Sequence, residues 1–336
     1  MKYFILTYGC QMNKSDSERI AADLERKKYK PALDIIEADF LVVNMCSVRQ
    51  SAVDRIYGVV KNFQELKDKN PKLKIALAGC VLKQDLKKLK DKFDLFIDNK
   101  KYSDTSPCRN DKRALIPISY GCKNSCTYCV VPQTRGSLSC RPSEEIIREA
   151  KRAVKNGYKE ICLLGQNVND YKAGNINFAK LLKKVSDITG DFSIHFLSSN
   201  PKDFSDKLIN TIAGNKKISK YLYIPVQSGD DKILKLMNRT YTAREYKKLI
   251  EKIRKKIPDV NLATDFIVGF PGETRLQFEN TRKFAKDLKF DIAFVNKYSP
   301  RPETAVSKMK DNISSMEKIR RWKILNKLIN EKTKNK

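Results

Sequence analysis

Apolar strands alternate with helical segments along most of this chain of 336 residues. In the first hundred residues, three strand candidates are each followed by a helical segment: YFILTYGC, DFLVVNMC and KIALAGC. After a polar segment, six more strand candidates are separated by helical segments: LIPIS, EICLLG, FSIHFL, YLYIPV, LATDFIVGF and IAFVNKY. Strands that alternate with helices form parallel sheets, so the pattern predicts the α/β class.

The same alternation predicts how the chain is divided into domains. We expect an N-terminal α/β domain with a parallel sheet over residues 1–103, a linker over 104–114 and a partial (β/α)6 barrel over 115–297. A basic extension covers residues 298–336. Because ligands bind at the carboxyl ends of the strands in such folds, these ends are where site residues are expected.

Cysteines with the spacing Cys-x3-Cys-x2-Cys follow the first strand of the expected barrel. They are Cys122, Cys126 and Cys129, here called the radical triad. Three thiolates hold three corners of a 4Fe-4S cube and leave one iron open, whereas structural zinc usually takes four ligands. No fourth cysteine or histidine lies within ten residues after Cys129, since the next is Cys140. The motif therefore predicts an open cluster, with zinc or chance clustering as the alternative.

The three N-terminal strand candidates each end in a cysteine. These are Cys10, Cys46 and Cys80, here called the strand-end triad. If the strands are neighbours in a parallel sheet, their carboxyl ends meet at one edge and the three thiols converge. The arrangement favours a second cluster with its own open iron. Buried structural cysteines, which are common after strands, are the alternative.

The nine cysteines are an odd number and lack the spacing of a small disulfide scaffold. Free or metal-bound thiols in a reducing compartment are the better interpretation, so we expect a cytoplasmic protein. No run of eighteen apolar residues and no secretory signal core occurs, and no membrane association is expected.

The charge of the chain is strongly positive. Its 68 Lys and Arg against 39 Asp and Glu give a net charge of +29. Such a field attracts polyanions, which makes nucleic acid the first partner to consider. The alternative is a lysine-biased composition on an ordinary solvated surface.

Longer strings around and beyond the two triads are shared with a known family. Around the triads they are TYGCQMNKSDSE, VNMCSVRQSA, AGCVLKQ and CTYCVVPQTRGSLSCRP, and further along they are LLGQNVNDY, SSNPKDFSDKLI, PVQSGDDKILKLMNRTYT, DFIVGFPGET and YSPRPETAV. Together they resemble the radical S-adenosylmethionine (SAM) methylthiotransferases along nearly the whole chain. Among the branches of that family, GQNVNDY and CVVPQTRG look most like the bacterial enzymes that act on tRNA.

The resemblance implies two [4Fe-4S] clusters and SAM as cofactors. It implies that SAM on the cluster of the radical triad gives a deoxyadenosyl radical, which abstracts hydrogen from carbon 2 of an N6-isopentenyladenosine beside the tRNA anticodon. A second SAM would supply the methyl group, and the cluster of the strand-end triad would carry the sulfur. No catalytic side chain is expected, because the cofactors carry the chemistry.

Five residues are candidates for contacts with SAM. By resemblance, Tyr128 lies against the adenine, and Gly269 in Gly-Phe-Pro-Gly-Glu supports it, unless that string is an ordinary turn. Gln166, Asn167 and Gln227 follow strand ends, where they either touch SAM or the base or satisfy loop backbone.

The resemblance also implies partners. They are the anticodon stem-loop of tRNA and a low-potential electron donor such as flavodoxin or ferredoxin, with the chain acting as a monomer. Family members usually follow the barrel with a small RNA-binding β-barrel called TRAM, which is not expected in residues 298–336. The alternatives are methylthiolation of threonylcarbamoyladenosine or of a ribosomal aspartate, and a non-catalytic RNA-binding iron-sulfur protein.

Overall fold

The computed structural model describes residues 1–48, 50–98 and 113–331. The chain forms two compact units, the first made of residues 1–123 and 130–165 and the second of 124–129 and 166–336. Most of the expected linker lies outside the described residues. Its last two residues, Arg113 and Ala114, begin a strand.

The first unit contains nine strands and six helices among its described residues. In chain order they are β1 (Lys2–Thr7), α1 (Gln11–Arg26), β2 (Lys30–Pro31), β3 (Phe40–Cys46), α2 (Gln50–Val60), α3 (Phe63–Lys69), β4 (Lys74–Cys80), α4 (Lys83–Leu89), β5 (Leu95–Phe96), β6 (Arg113–Pro117), β7 (Ser119–Tyr120), α5 (Val131–Arg135), β8 (Ser139–Cys140), α6 (Ser143–Lys155) and β9 (Glu160–Leu164).

The N-terminal sheet is parallel, with strand order β2-β1-β3-β4-β5. Its central strands are apolar on both faces: Leu41, Val42 and Val43 in β3 are completely buried. Such a strand needs helices on both sides, which α1 and α2 provide. The predicted α/β class and N-terminal parallel sheet are confirmed.

Helix α1 begins before the residues that look like its start in the sequence. The string Ser15-Asp-Ser-Glu18 has the form of a capping box, but α1 begins earlier, at Gln11, with Cys10 as its N-cap residue. Ser15 instead lies inside the helix and donates a hydrogen bond to the Leu115 carbonyl of β6 at 3.0 Å. The segment between β3 and β4 contains two helices, α2 and α3.

The second unit contains six strands and six helices among its described residues. They are β10 (Lys172–Ala173), β11 (Ile176–Asn177), α7 (Phe178–Ser186), β12 (Ser193–Phe196), α8 (Asp206–Ala213), β13 (Tyr221–Tyr223), α9 (Asp231–Leu236), α10 (Ala243–Lys256), β14 (Asn261–Val268), α11 (Arg275–Leu288), β15 (Ile292–Lys297) and α12 (Ser315–Asn330).

The six strands expected for the barrel region are all present, as β6, β9, β12, β13, β14 and β15. Within the second unit, β13, β14 and β15 form a parallel sheet in that order. Capping boxes at Thr242 with Glu245 and at Thr274 with Gln277 begin α10 and α11, as their sequences predict. None of the helices described is long and apolar enough to cross a membrane.

Candidate cluster and cofactor sites

The cysteines of the strand-end triad lie at one edge of the N-terminal sheet. Cys46 and Cys80 are the last residues of the neighbouring strands β3 and β4, directly opposite each other in register, and both are buried. Cys10 follows β1 at the N-cap of α1 and is exposed. The strands are neighbours because β1 pairs with β3 and β3 with β4, which brings the three thiols together.

A buried amide joins these three strand ends. The Asn13 side chain accepts from the Cys10 thiol at 3.5 Å, with the Cys80 thiol 4.0 Å from the same oxygen, and its amide nitrogen donates to the Asn44 side chain at 2.9 Å. The Asn44 side-chain amide donates a hydrogen bond to the Asn13 backbone carbonyl at 2.8 Å. Asn13 and Asn44 are both completely buried. Their mutual bonds hold the start of α1 against the end of β3.

Glycines precede two of the three cysteines, where no side chain fits. A Cβ on Gly79 would lie 2.1 Å from the Met45 carbonyl oxygen, and the φ of Gly79 is +104°. A Cβ on Gly9 would lie 2.4 Å from the Asn13 amide oxygen. The backbone therefore approaches its neighbours closely at Cys10 and Cys80, and only glycine permits this at position 79.

An arginine lies against the buried cysteine of this edge. Arg135, the last residue of α5, donates from Nε to the Cys80 sulfur at 2.8 Å and from Nη2 to the Asp16 carboxylate at 2.7 Å. Its side chain is 5% exposed, and that of Asp16 is 0% exposed. The hydrogen bond from the Cys80 thiol lowers the pKa of Cys46, whereas that bond and burial raise the pKa of Cys80.

A cavity of about 160 Å³ opens beside the same edge. Most of its lining is apolar, and Gly79 and Arg135 form part of its wall. The apolar lining comes from Leu77, Ala78, Val81, Leu86, Phe96 and Ile97. The residue before Cys80 and the arginine that contacts its sulfur therefore both border this cavity.

Sulfur is the donor element that an iron-sulfur cluster requires. None of the eight cysteines that the structure describes forms a disulfide. Within residues 1–48, 50–98 and 113–331, no three Cys, His, Asp or Glu side chains are grouped as ligands of one metal ion. A 4Fe-4S cube makes a different demand, since each thiolate binds its own iron at a separate corner. Three thiols at one edge, with close backbone approach beside two of them, fit such a cube.

The first cysteine of the radical triad belongs to the first unit. Cys122 follows Gly121, which has a φ of +69°. A Cβ on Gly121 would lie 2.2 Å from the Ser137 carbonyl oxygen, so no side chain fits at this position. The Cys122 backbone N-H donates to the Gly136 carbonyl at 3.2 Å. The loop that carries Cys122 is thus tied to the end of α5.

The other two cysteines of the radical triad belong to the second unit and share one turn. The backbone N-H of Cys129 donates to the Cys126 carbonyl at 3.0 Å. Arg239 donates from Nη1 to the Cys126 sulfur at 3.4 Å, and Asn238 donates to the Ser125 backbone carbonyl at 2.9 Å. The segment after α9 therefore holds the cysteine turn in place and adds a positive charge beside one sulfur.

Tyr128 lies between these two cysteines and packs into an apolar cluster. The cluster contains Ile233, Met237, Phe270, Tyr298 and Val306. The ring is half-buried, and burial raises the pKa of its hydroxyl well above the usual value. Tyr128 therefore remains a neutral, apolar surface beside Cys126 and Cys129, which suits contact with a flat aromatic ring.

The polar candidates after strand ends differ in their partners. The Asn167 side chain donates to Asp203 at 2.9 Å and accepts from the Asn200 backbone at 3.1 Å, so it connects two loops. Gln227 has a left-handed φ of +74°, and its backbone forms hydrogen bonds with Asp265 and Ile267 of β14. Gln166 is half-buried after β9. Asn167 has protein partners, whereas the Gln227 backbone conformation is of the strained kind that occurs at ligand sites.

The loop with Gly269 is tied to the C-terminal helix. The Gly269 N-H donates to the Glu273 carboxylate at 2.7 Å, and Arg321 of α12 donates to the same oxygen at 2.7 Å. The Glu273 and Arg321 side chains are 1% and 5% exposed. Gly269 has φ +68°, and a Cβ there would lie 2.4 Å from the Lys318 side chain. The string contains a turn, in which the Glu273 N-H donates to the Phe270 carbonyl at 2.8 Å, and this turn packs tightly against α12.

Two family models match the chain. Residues 116–285 match the radical SAM superfamily, and residues 2–98 match the uncharacterized protein family UPF0004. The tRNA-2-methylthio-N(6)-dimethylallyladenosine synthase of Thermoanaerobacter pseudethanolicus is 40% identical to the chain, over 98% of the chain and 78% of that protein. The chain belongs to the radical SAM methylthiotransferase family.

Other members of this family show the same level of similarity. The proteins with that synthase name from Dictyoglomus thermophilum and Thermodesulfovibrio yellowstonii are 40% and 39% identical, over 96% and 99% of the chain and 80% and 84% of their own lengths. Among solved structures, the radical SAM methyltransferase TsrM from Kitasatospora setae aligns with a TM-score of 0.64 at 11% identity, over 91% of this chain and 74% of that one. This likeness shows the fold.

Sequence reasoning missed the charged and amide side chains around the triads of this methylthiotransferase. Asn13, Arg135 and Arg239 each touch a cysteine of a triad, and Arg321 supports the Gly269 loop through Glu273. Asn13 lies inside the string TYGCQMNKSDSE, and Arg135 lies inside CVVPQTRG. Their closeness in sequence to the cysteines was the signal that could have identified them. No local pattern marks Arg321.

Proposed function

We propose that this chain is a tRNA-2-methylthio-N6-dimethylallyladenosine synthase. It would add a methylthio group to carbon 2 of N6-isopentenyladenosine beside the anticodon. The observation that carries the proposal is the strand-end triad: β1, β3 and β4 bring three thiols, distant in sequence, to one edge in a chain that also has the radical SAM motif. The similarity to synthases over 98% of the chain supports the same substrate.

The two triads have different roles in this proposal. Cys122, Cys126 and Cys129 hold the cluster that binds SAM, and the strand-end triad holds the cluster that carries the sulfur. The bound cofactors supply the radical, the sulfur and the methyl group. The chain orients them: Asn13 and Arg135 fix the edge with Cys80, while Arg239 and Asn238 fix the turn with Cys126.

SAM and the adenine base have candidate contacts in the second unit and beside β9. Tyr128 offers a neutral ring face, and Gly269 retains the predicted role of supporting the adenine, on a loop that Glu273 and Arg321 hold in place. Gln166 and Gln227 retain the predicted role of contacting SAM or the base. For Asn167 we propose a positioning role, because its amide already joins the loops at Asp203 and Asn200.

The partners follow from the reaction and the charge. The substrate is the anticodon stem-loop of a tRNA, whose loop bases can be splayed out more easily than bases in a duplex. A net charge of +29 favours this polyanion. We further propose that a flavodoxin or ferredoxin supplies electrons and that the protein acts as a monomer in the cytoplasm.

Reconstitution of single-triad variants tests the division of roles. The wild-type protein should bind about eight irons after anaerobic treatment with iron and sulfide. Replacing Cys122, Cys126 and Cys129 by Ala should leave about four irons and abolish release of 5'-deoxyadenosine from SAM. Replacing Cys10, Cys46 and Cys80 by Ala should also leave about four irons, retain SAM cleavage and abolish methylthio transfer to tRNA.

Cys162→Ala is the matched control. Cys162 is buried in β9, burial raises the pKa of its thiol to about 12, and its loss should leave the iron content at about eight. Methylthio product from the variant without the strand-end triad would refute the proposed roles. Iron binding without any SAM cleavage would favour a non-catalytic iron-sulfur protein. Mass spectrometry of tRNA nucleosides from cells lacking the protein would separate isopentenyladenosine from threonylcarbamoyladenosine as the substrate.

A further inference from the structure

Arg135 is a buried cation that contacts a cysteine of the strand-end triad. Its guanidinium donates from Nε to the Cys80 sulfur at 2.8 Å and from Nη2 to Asp16 at 2.7 Å, and its side chain is only 5% exposed. A cation buried this deeply cannot make phosphate contacts on the surface. Its position beside one sulfur therefore needs an explanation within the protein.

The orientation of Arg135 is imposed from several sides. It ends the short helix α5, and Gly136 follows with φ +76°, which turns the chain away. Asp16, on the second turn of α1, accepts a hydrogen bond from Nη2 of Arg135. This bond orients Nε toward the Cys80 sulfur. Because a guanidinium is planar and its donors form a rigid fork, fixing Nη2 on a carboxylate also fixes where the neighbouring Nε-H points.

We propose that Arg135 sets the reduction potential of the cluster held by the strand-end triad, through a charged N-H···S hydrogen bond to Cys80. The inference rests on the proposed function, which places a cluster on these three thiols. Hydrogen bonds to the ligand sulfurs and nearby charge are main determinants of the potential of such clusters. The reduced cluster carries one more negative charge than the oxidised one, so a buried cation beside it stabilises the reduced form and raises the potential.

The effect is specific to one of the two clusters. Arg239 donates to Cys126 of the radical triad at 3.4 Å, whereas Arg135 contacts Cys80. Removal of the Arg135 charge should therefore shift the potential of the strand-end cluster alone. A purely structural role would lower stability or iron content and leave the potential unchanged.

The test is a potentiometric titration followed by electron paramagnetic resonance. It uses the full-length chain with Cys122, Cys126 and Cys129 replaced by Ala, so that only the strand-end cluster is observed. Arg135→Gln should lower the midpoint potential by at least about 59 mV, which is a tenfold change in a one-electron equilibrium. Arg135→Lys keeps the charge but not the planar fork, and it should give a smaller drop.

Arg141→Gln is the matched control. Arg141 is also in the first unit and pairs with the buried Glu149 at 2.8 Å, so its loss removes an arginine from an ion pair that does not involve Cys80. We expect the wild-type potential in this variant. An equal shift in Arg141→Gln and Arg135→Gln, or no shift in an Arg135→Gln protein that retains about four irons, would overturn the inference.

A second measurement needs no substitution at Arg135. In the same background labelled with 15N-arginine, electron-nuclear double resonance on the reduced cluster should detect a 15N coupling from the guanidinium. Its absence would overturn the inference even if Arg135→Gln fails to hold iron. A background protein that binds no iron at all would instead refute the proposed ligand role of the strand-end triad.

Discussion

Single glycines next to the cysteines allow the backbone to lie close to neighbouring residues. At Gly79, the positive φ and the Met45 carbonyl both exclude a Cβ, and the next residue is Cys80. At Gly58, exposed in the last turn of α2, nothing lies within 4 Å of where a Cβ would be. The same chemical change therefore has opposite consequences at two glycines of one unit.

Gly79→Ala should destabilise the protein and reduce its iron content. A non-glycine residue with left-handed φ costs about 1–2 kcal/mol, and the contact with the Met45 carbonyl adds to this. We expect about four irons instead of about eight, because the displaced backbone carries Cys80. Denaturant unfolding and iron analysis measure the two effects.

Gly58→Ala is the control for that experiment. Alanine is favoured over glycine in a helix, so the free energy of unfolding should rise by at most about 0.5–1 kcal/mol, the value for a helix interior, with unchanged iron content. If Gly79→Ala behaved like Gly58→Ala, the close approach at Cys80 would have no role in holding the cluster.

Helix α12 is the element that supports the Gly269 loop. Arg321 reaches both the carboxylate and the backbone carbonyl of Glu273, at 2.7 and 2.8 Å. The Trp322 indole N-H donates to the Val295 carbonyl of β15 at 2.8 Å. Two turns later, the Asn330 side chain donates to the Ala293 carbonyl of the same strand. The helix thereby connects the last strand to the loop where SAM is expected.

Arg321→Met should be strongly destabilising. It leaves the Glu273 carboxylate buried without its cationic partner, and breaking a buried pair costs about 3–5 kcal/mol. SAM affinity should fall as well, since Glu273 also accepts from the Gly269 N-H. Equilibrium unfolding and calorimetric SAM titration of the reconstituted protein measure these effects.

Arg320→Gln tests whether burial is the cause. Arg320 is the neighbouring residue and pairs with Glu317, but its side chain is 45% exposed. Exposed ion pairs contribute about 0–1 kcal/mol, so the loss should be small and SAM affinity unchanged. Equal losses in the two variants would contradict the role given to the buried contact between Arg321 and Glu273.

The whole molecule carries a charge that should govern its encounter with tRNA. Its 68 Lys and Arg exceed the 39 Asp and Glu by 29. Many of the basic residues lie on exposed helix faces, such as Lys247, Lys248 and Lys255 of α10. A surface of this kind binds the phosphate backbone with little dependence on the base sequence.

tRNA affinity should therefore depend steeply on salt. Each neutralised phosphate contributes a slope of about 0.7–0.9 in log affinity against log salt, so six contacts would give about 4–5. Fluorescence anisotropy of a labelled tRNA across a salt series measures the slope. A slope below about 1 would mean that the charge is compositional and that tRNA is recognised mainly through uncharged contacts.

Local sequence patterns determined the elements and the ligand candidates of this protein. The alternation of strands and helices follows from hydrophobic periodicity, and the capping boxes at Thr242 and Thr274 follow from bonds within four residues. Such signals are contained in a short window, so they can be read without the fold. The convergence of the strand-end triad was predictable only on the condition that β1, β3 and β4 are neighbours.

The tertiary structure alone decided which side chains surround those candidates. Ser15 has the local signature of a helix start, yet it lies within α1, and its hydroxyl bonds to Leu115, 100 residues away. Arg135 meets Cys80 across 55 residues, and Arg321 meets Glu273 across 48. No short-range periodicity encodes such pairs. They form where the packing of separate elements leaves a buried charge or sulfur that requires a partner.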